Sequence, residues 1–207
     1  MDYRVLTVSR EFGSGGGRIA QSIAKCLGWK LLDSALIEQI ACEAKVDAGV
    51  VSRFDEHVEG WLARINRQAM RGAAMAAGVA LEEEKCFDSD VMADLTRRII
   101  EHAYDAGNCV IVGRGAQCIL QAKADVFHVF IYAPRRVRIH RLRRRLEPGA
   151  DIEQRIEDVD GQRALYMKQR FGKDWKNPHL YDLMISSGED EERTARVIEF
   201  AMWKNRA

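Results

Sequence analysis

Short apolar runs alternate with stretches of helical periodicity along most of this chain. The run "RVLTV" at 4–8 is rich in β-branched residues and leads into a glycine-rich turn, which is typical of a buried strand. Residues 17–28 then place apolar side chains every three or four positions and stop at a glycine, which predicts a helix. The same reasoning predicts strands at 29–32, 109–113, 126–133 and 180–187, and helices at 35–45, 90–106, 134–146, 151–171 and 189–204.

Strands that alternate with helices indicate an α/β fold with a five-stranded parallel, doubly wound sheet flanked by helices. Only three prolines occur, and no linker-like stretch divides the chain, so residues 1–207 are interpreted as a single domain. Residues 47–81 are helical but less regular, and their small and apolar side chains could cover a pocket or form a homodimer through 46–81.

Composition and charge argue against several classes of protein. A net charge of +1 gives no reason to expect a nucleic-acid or membrane partner. No run of 18 apolar residues and no signal-peptide core occur, so we expect a soluble, cytoplasmic protein. The cysteines form no CxxC pair, which argues against a disulfide framework or a structural zinc site. They are Cys26, Cys42, Cys86, Cys109 and Cys118.

The stretch "SREFGSGGGRIA" at 9–20 lies between the first predicted strand and the first predicted helix. Backbone N–H groups of such a turn, together with the positive end of the helix, favour a phosphate. The usual nucleotide-binding pattern GxxxxGK[ST] is not met, because its lysine is absent. A glycine-rich structural turn therefore remains an alternative.

Together with "GWKLLDSALI", "CVIVGRGAQCIL" and "VFIYAP", this loop resembles the cytidylate kinase-like family, a divergent nucleoside-monophosphate kinase branch of the P-loop kinases. The resemblance runs from residue 4 to residue 200 and is weakest over 46–90. It implies a core of about 1–45, 90–133 and 180–207, a helical insert at 46–89 that binds the acceptor, and a lid at about 134–179. It also implies ATP, Mg²⁺ and a nucleotide substrate, with CMP or dCMP as the first candidate.

The resemblance assigns roles within the loop. Gly13 and Gly15 match the inner glycines of the family's loop, while Gly16 stands where the lysine is expected. Arg18 takes the position of the Mg²⁺-binding Ser or Thr, and Arg10 that of the first glycine. Either arginine could supply the missing cation, although Arg18 could also be a solvated first-turn residue. The expected ATP-phosphate ligands are Gly13, Ser14, Gly15, Gly16 and Gly17, and Ser14 or Ser9 could bind Mg²⁺.

Acceptor binding is expected after the second and third strands. Asp33 and Ser34 match the family's Asp-Ser pair, although helix capping alone would explain them. Arg114 in "VGRGA" takes the place of a phosphate-contacting arginine at the carboxyl edge of the sheet, where such folds bind ligands. Gly115 stands where the family has an aspartate, which weakens the preference for cytosine.

The segment "PRRVRIHRLRRRL" at 134–146 carries apolar residues at helical spacing and arginines on its other faces. A nucleic-acid-binding helix is the least favoured interpretation at this net charge. In the related kinases this segment is a lid whose arginines close over the phosphates. The inward-facing members of the set Arg138, Arg141, Arg143, Arg144 and Arg145 cannot be identified from the sequence.

Three residues in the next predicted helix extend this lid. Arg155, Asp160 and Arg163 follow the family's Arg…Asp-x-x-Arg spacing, with Arg163 meeting a phosphate and Asp160 orienting it. Surface ion pairs are the alternative for Asp160. The sequence thus predicts an ATP-dependent nucleoside-monophosphate kinase with Arg10, Arg18, Arg114 and Arg163 as catalytic residues. The alternatives are a nucleotide- or phosphate-binding protein without transfer activity and a kinase of another small molecule.

Overall fold

The computed structural model describes residues 3–37, 90–147, 149–188 and 190–203. The chain divides into two compact units, one of residues 1–33 with 107–207 and the other of residues 34–106. The predicted helical insert at 46–89, and with it the expected dimer surface at 46–81, lies outside the described residues.

The first unit is built on a five-stranded parallel sheet. Its strands are β1 (Val5–Arg10), β2 (Lys30–Leu32), β3 (Cys109–Val112), β4 (Val126–Tyr132) and β5 (Leu183–Ser186). They lie in the order β2-β3-β1-β4-β5, and each neighbouring pair is parallel, which confirms the predicted sheet. Because β1 is central, the residues that follow it lie in the middle of the carboxyl edge, where doubly wound sheets bind ligands.

Six α-helices have both of their ends among the described residues, and all but the short α3 were predicted from periodicity. They are α1 (Gly16–Leu27), α2 (Asp90–Ala106), α3 (Ala116–Ile119), α4 (Arg135–Arg143), α5 (Ile152–Phe171) and α6 (Glu191–Trp203). α1 ends at Gly28 in the left-handed conformation, as its glycine stop predicts. α5 begins at Asp151, whose side chain accepts a hydrogen bond from the backbone N–H of Gln154. Within the described ranges, no helix is both long and apolar enough to cross a membrane.

Apolar packing fixes helices on both faces of this sheet. On one face, α1 and α6 cover the side chains of β1, β3 and β4 in a single cluster that includes Leu6, Ile23 and Ile198. On the other face, Phe130 of β4 packs with Met167 of α5 and with Trp175. Each of these side chains is nearly fully buried. α5 is thereby held beside the central strands, so its polar residues can reach the carboxyl edge.

Two predicted boundaries differ from the structure by three residues. β5 begins at Leu183, not at residue 180, because Pro178–Leu180 forms a 3₁₀ turn, which Asn177 caps by accepting a hydrogen bond from the backbone N–H of His179. α4 ends at Arg143, not at residue 146, and buries Val137, Arg138 and Leu142. The buried face of α4 therefore contains an arginine, which apolar periodicity alone does not predict.

Candidate active site

The glycine loop, residues 11–15, joins the end of β1 to α1. Gly13 and Gly15 have φ angles of 80° and 82°, a left-handed conformation that side-chain-bearing residues rarely adopt. Gly15 caps α1 without any side-chain hydrogen bond. Among the described residues, no acceptor receives a hydrogen bond from the N–H groups of Gly13, Gly15, Gly16 and Gly17. Several donors at a helix N-terminus thus remain available to an anion.

Three arginines meet beside this loop, and we call them the arginine trio: Arg10, Arg114 and Arg163. Arg10 ends β1, and its guanidinium lies against Gly113, where a β-carbon would collide with Nη1. Arg163 comes from α5, and its Nη1 donates a hydrogen bond of 2.9 Å to the backbone carbonyl of Arg10. Arg114 follows β3. The structure therefore brings together three of the four residues that the sequence analysis selected as catalytic.

The three cations of the trio repel one another. Burial and the neighbouring charge of Arg114 lower the pKa of Arg10 to about 10, against the opposite effect of Asp33 and Asp160. Burial and Arg10 lower the pKa of Arg163 to about 9. Burial, with a further contribution from Arg163, lowers the pKa of Arg114 to about 10. All three side chains are still protonated at neutral pH, so an anion placed among them would relieve both repulsion and desolvation.

The backbone around Arg114 is unusual. Gly113, Arg114 and Gly115 have successive φ angles of 80°, 53° and 70°. A non-glycine residue in this conformation is strained, and such strain is concentrated at functional sites. A β-carbon at Gly115 would collide with the ring of Phe171. The place where the resemblance puts an aspartate is therefore filled by an aromatic ring.

Asp160 organises the loop and the trio at once. Its Oδ1 accepts a hydrogen bond of 2.8 Å from the backbone N–H of Phe12 and lies 3.4 Å from Nη1 of Arg163. Its other oxygen is paired with Arg138. The side chain is only 14% exposed. Asp160 thus orients Arg163 within the protein, and it has more partners than a surface ion pair would have.

The arginines of α4 divide into two sets. Arg138 and Arg141 are turned inward, and we call them the α4 pair. Arg138 contacts Glu11 as well as Asp160, while Arg141 contacts Glu191. The remaining arginines of the predicted lid, Arg143, Arg144 and Arg145, are exposed. Sequence reasoning missed Glu11 and Glu191. The sequence contained one signal for Glu11: a carboxylate inside a phosphate-binding loop would repel the phosphate unless a cation were paired with it.

The other predicted residues differ in their exposure and in their partners. Arg18 is half exposed and pairs with Glu191. Asp33 is exposed at the end of β2 and acts on Arg10 electrostatically. Arg155 is half-buried near the start of α5, and Ser34 belongs to the second compact unit.

Ser14 is the predicted magnesium ligand. Its side-chain oxygen is fully buried and has no hydrogen-bond partner among the described residues. A buried hydroxyl in this position does not fit a Mg²⁺ ion that keeps several waters, as Mg²⁺ usually does in proteins. No group of three or more His, Cys, Asp or Glu residues in the described chain could hold a metal. The residues present fit phosphate oxygens better than a directly bound cation.

Comparison with known proteins agrees with this geometry. Residues 5–189 match the cytidylate kinase-like family. A cytidylate kinase of Methanosarcina mazei is 25% identical over 201 residues, which are 95% of both chains. An uncharacterized protein from Eubacterium ventriosum superposes with a TM-score of 0.68 at 19% identity, over 98% of this chain and 99% of the other. A shikimate kinase from Acinetobacter baumannii, solved with shikimate, gives a TM-score of 0.50 at 16% identity, over 99% and 95% of the two chains.

Proposed function

Because this chain belongs to the cytidylate kinase-like family, we propose that it transfers the γ-phosphoryl group of MgATP to a nucleoside monophosphate, with CMP and dCMP as the first candidates. The kinase fold and family make it a phosphotransferase of the kinase type. The observation that carries the proposal is the arginine trio, three half-buried cations that lie beside a loop with available N–H donors.

Phosphoryl transfer needs positioning and positive charge more than covalent chemistry. Arg10 is the member of the trio best suited to the role of the missing lysine, because its side chain runs beside Gly16. A β-carbon at Gly16 would lie 2.6 Å from Cβ of Arg10. In this proposal the N–H groups of residues 13–17 hold the ATP phosphates, and Arg10 and Arg163 neutralise the charge on the transferring group.

The acceptor lies on the Arg114 side of the trio. Arg114 binds the acceptor phosphate, and Asp33 and Arg155 contribute to the same pocket. Asp160 acts on the acceptor through Arg163. Ser14 would hold a Mg²⁺ ion that came with ATP only if the loop rearranged, because its hydroxyl is fully buried. The magnesium ion would neutralise phosphate charge during transfer.

Phe171 covers Gly115, and this affects which acceptor base can be recognised. A ring at this position offers stacking and no carboxylate that could accept a hydrogen bond from the cytosine amino group. We therefore expect CMP and dCMP to be used, with UMP discriminated against by less than about tenfold, which is the effect of about one net hydrogen bond.

The test is a coupled ADP-release assay with MgATP and a panel of CMP, dCMP, UMP, AMP, GMP and small hydroxylated metabolites. Turnover with a pyrimidine monophosphate that is lost in Arg114→Ala and retained in Arg144→Ala supports the proposal. Turnover with a metabolite alone assigns a kinase of another small molecule. ATP binding measured by calorimetry, without turnover on any acceptor, identifies a nucleotide-binding protein, an alternative that the glycine at the lysine position favours.

A further inference from the structure

We infer that Arg138 and Arg141 are positioning residues that fix the peptide planes of the glycine loop, so that its N–H groups face the phosphates. The inference rests on the proposed function, because it assigns the loop to phosphate. It gives the α4 pair a role different from a lid that closes over the ligand.

Arg138 holds the first half of the loop. Its Nε donates a hydrogen bond of 2.6 Å to the backbone carbonyl of Phe12. Its two terminal nitrogens meet Glu11 at 3.2 Å and Asp160. The side chain is only 8% exposed, so these contacts are made away from water. All three nitrogens of this guanidinium therefore have partners within the protein.

Arg141 holds the second half of the loop in the same way. Its Nη1 donates a hydrogen bond of 2.8 Å to the carbonyl of Ser14, and the hydroxyl of Ser187 donates another of 2.6 Å to the same oxygen. Its Nη2 donates to the carbonyl of Gly188 at 2.8 Å, and its Nε pairs with Glu191 at 3.2 Å. A single arginine thus links the loop, the end of β5 and the start of α6.

Peptide geometry converts these contacts into an orientation of the N–H groups. In a trans peptide the carbonyl and the N–H of one unit point in opposite directions. Fixing the carbonyl of Phe12 therefore directs the N–H of Gly13 away from α4. In the same way, fixing the carbonyl of Ser14 directs the N–H of Gly15 away from Arg141. These are two of the N–H groups that lack an acceptor in the described chain.

The rest of the loop is held at each unit as well. Glu11 donates its N–H to the carbonyl of Ile131 at 3.0 Å, and the N–H of Ser14 bonds to the carbonyl of Glu11 at 3.2 Å. The carbonyl of Gly15 receives the N–H of Ile19 at 3.0 Å. An arginine spreads its donors over three nitrogens of a rigid planar fork and so reaches separated acceptors in fixed directions, whereas lysine carries all of its donors on one nitrogen. We therefore expect Lys to be a poor substitute at both positions.

The test compares Arg138→Lys and Arg141→Lys with Ser187→Ala, which removes a neutral donor, and with Arg143→Lys as the matched control on the exposed side of α4. Inorganic tripolyphosphate and ATP are the probes, and calorimetry measures their affinity.

Labelling with ¹³C-carbonyl Phe and ¹⁵N-Gly isolates the NMR signal of the Phe12–Gly13 amide, since Phe–Gly recurs only at Phe171–Gly172. The Ser–Gly pairs are likewise limited to Ser14–Gly15 and Ser187–Gly188.

We expect tripolyphosphate affinity to fall about tenfold in both Lys variants, less in Ser187→Ala and not in Arg143→Lys, at an unchanged folded fraction. The Gly13 amide resonance should move in Arg138→Lys and that of Gly15 in Arg141→Lys, before any ligand is added. Unchanged amide resonances, or affinity lost equally in the control, would overturn the inference. Phosphoryl transfer by the wild-type protein distinguishes the two proposals. Amide shifts in the Lys variants and anion binding, without phosphoryl transfer by the wild-type protein, would refute the kinase assignment and leave the positioning role intact.

Discussion

The arginine trio and the α4 pair use the same side chain in opposite ways. In the trio, burial and mutual repulsion lower the pKa of each guanidinium, so the cations are destabilised without an added anion. In the α4 pair, carboxylates and backbone carbonyls bond to each guanidinium, for example Glu11 and the carbonyl of Phe12 to Arg138. The trio is prepared for a ligand, whereas the α4 pair is complete within the protein.

This difference teaches how to tell binding arginines from structural ones in a chain that has many. Burial does not distinguish the trio from the α4 pair, because the side chains of both groups are at least partly shielded from solvent. The neighbouring charges do, because each trio arginine is acted on by another arginine, whereas each member of the α4 pair is bonded to a carboxylate. Variants that remove one arginine should therefore affect stability in one group and activity in the other.

The largest expected effect is on stability, at Arg138. Arg138→Met leaves Glu11 and Asp160 buried without their shared partner, which should lower the free energy of unfolding by about 3–5 kcal/mol. Urea unfolding followed by circular dichroism measures this, with Arg143→Met as the exposed control. A loss below about 1 kcal/mol would place this ion pair with ordinary surface pairs and would remove the distinction between the two groups.

At Arg10 the effect should instead appear in catalysis. Arg10→Met removes a cation aimed at developing charge, so kcat/KM should fall by about 10²–10³-fold. The free energy of unfolding should stay level or rise, because a buried repulsive charge disappears. The coupled assay and urea unfolding are compared on one preparation. A variant that unfolds easily and still turns over at the wild-type rate would contradict the comparison.

A smaller effect should follow from moving Arg10 without deleting it. Gly113→Ala and Gly28→Ala both force alanine into a left-handed conformation, at a cost of about 1–2 kcal/mol each. Only at Gly113 does the new methyl group displace the Arg10 guanidinium, since nothing lies within 4 Å of a β-carbon at Gly28. We expect kcat to fall about tenfold or more in Gly113→Ala alone. Equal activity in both variants would show that the position of Arg10 is unimportant.

The smallest effect should come from an exposed arginine that belongs to neither group. Arg135 pairs with Glu153 and Glu157 at 2.9 Å each, and all three side chains are about half exposed or more. Arg135→Ala should change the free energy of unfolding by less than about 1 kcal/mol and leave turnover unchanged. A larger loss of stability would mean that the α4–α5 surface contributes more to the fold than its exposure indicates.

Local chain patterns predicted most of the fold. α1 with its stop at Gly28, and α2 with both of its ends, follow from periodicity and glycine alone. Arg10, Arg114 and Arg163 were found because each sits in a motif or at a strand end. The role of the α4 pair could not be found, because Phe12 and Ser14, whose carbonyls it holds, are 126 and 127 residues away in sequence. Periodicity describes which face of a helix is apolar, and it does not show which arginine meets a distant backbone carbonyl.

The close approach of Arg10 to Gly16 bears on how such a loop can change over evolution. Any side chain at residue 16 would meet Cβ of Arg10, so lysine and arginine compete for one space. Gly16→Lys alone should be damaging, and so should Arg10→Gly alone, whereas the two together need not be, because glycine removes the β-carbon at residue 10. A change between the arginine form and the lysine form of the loop therefore requires substitutions at residues 10 and 16 together. Each lineage would tend to keep the cation that it inherited.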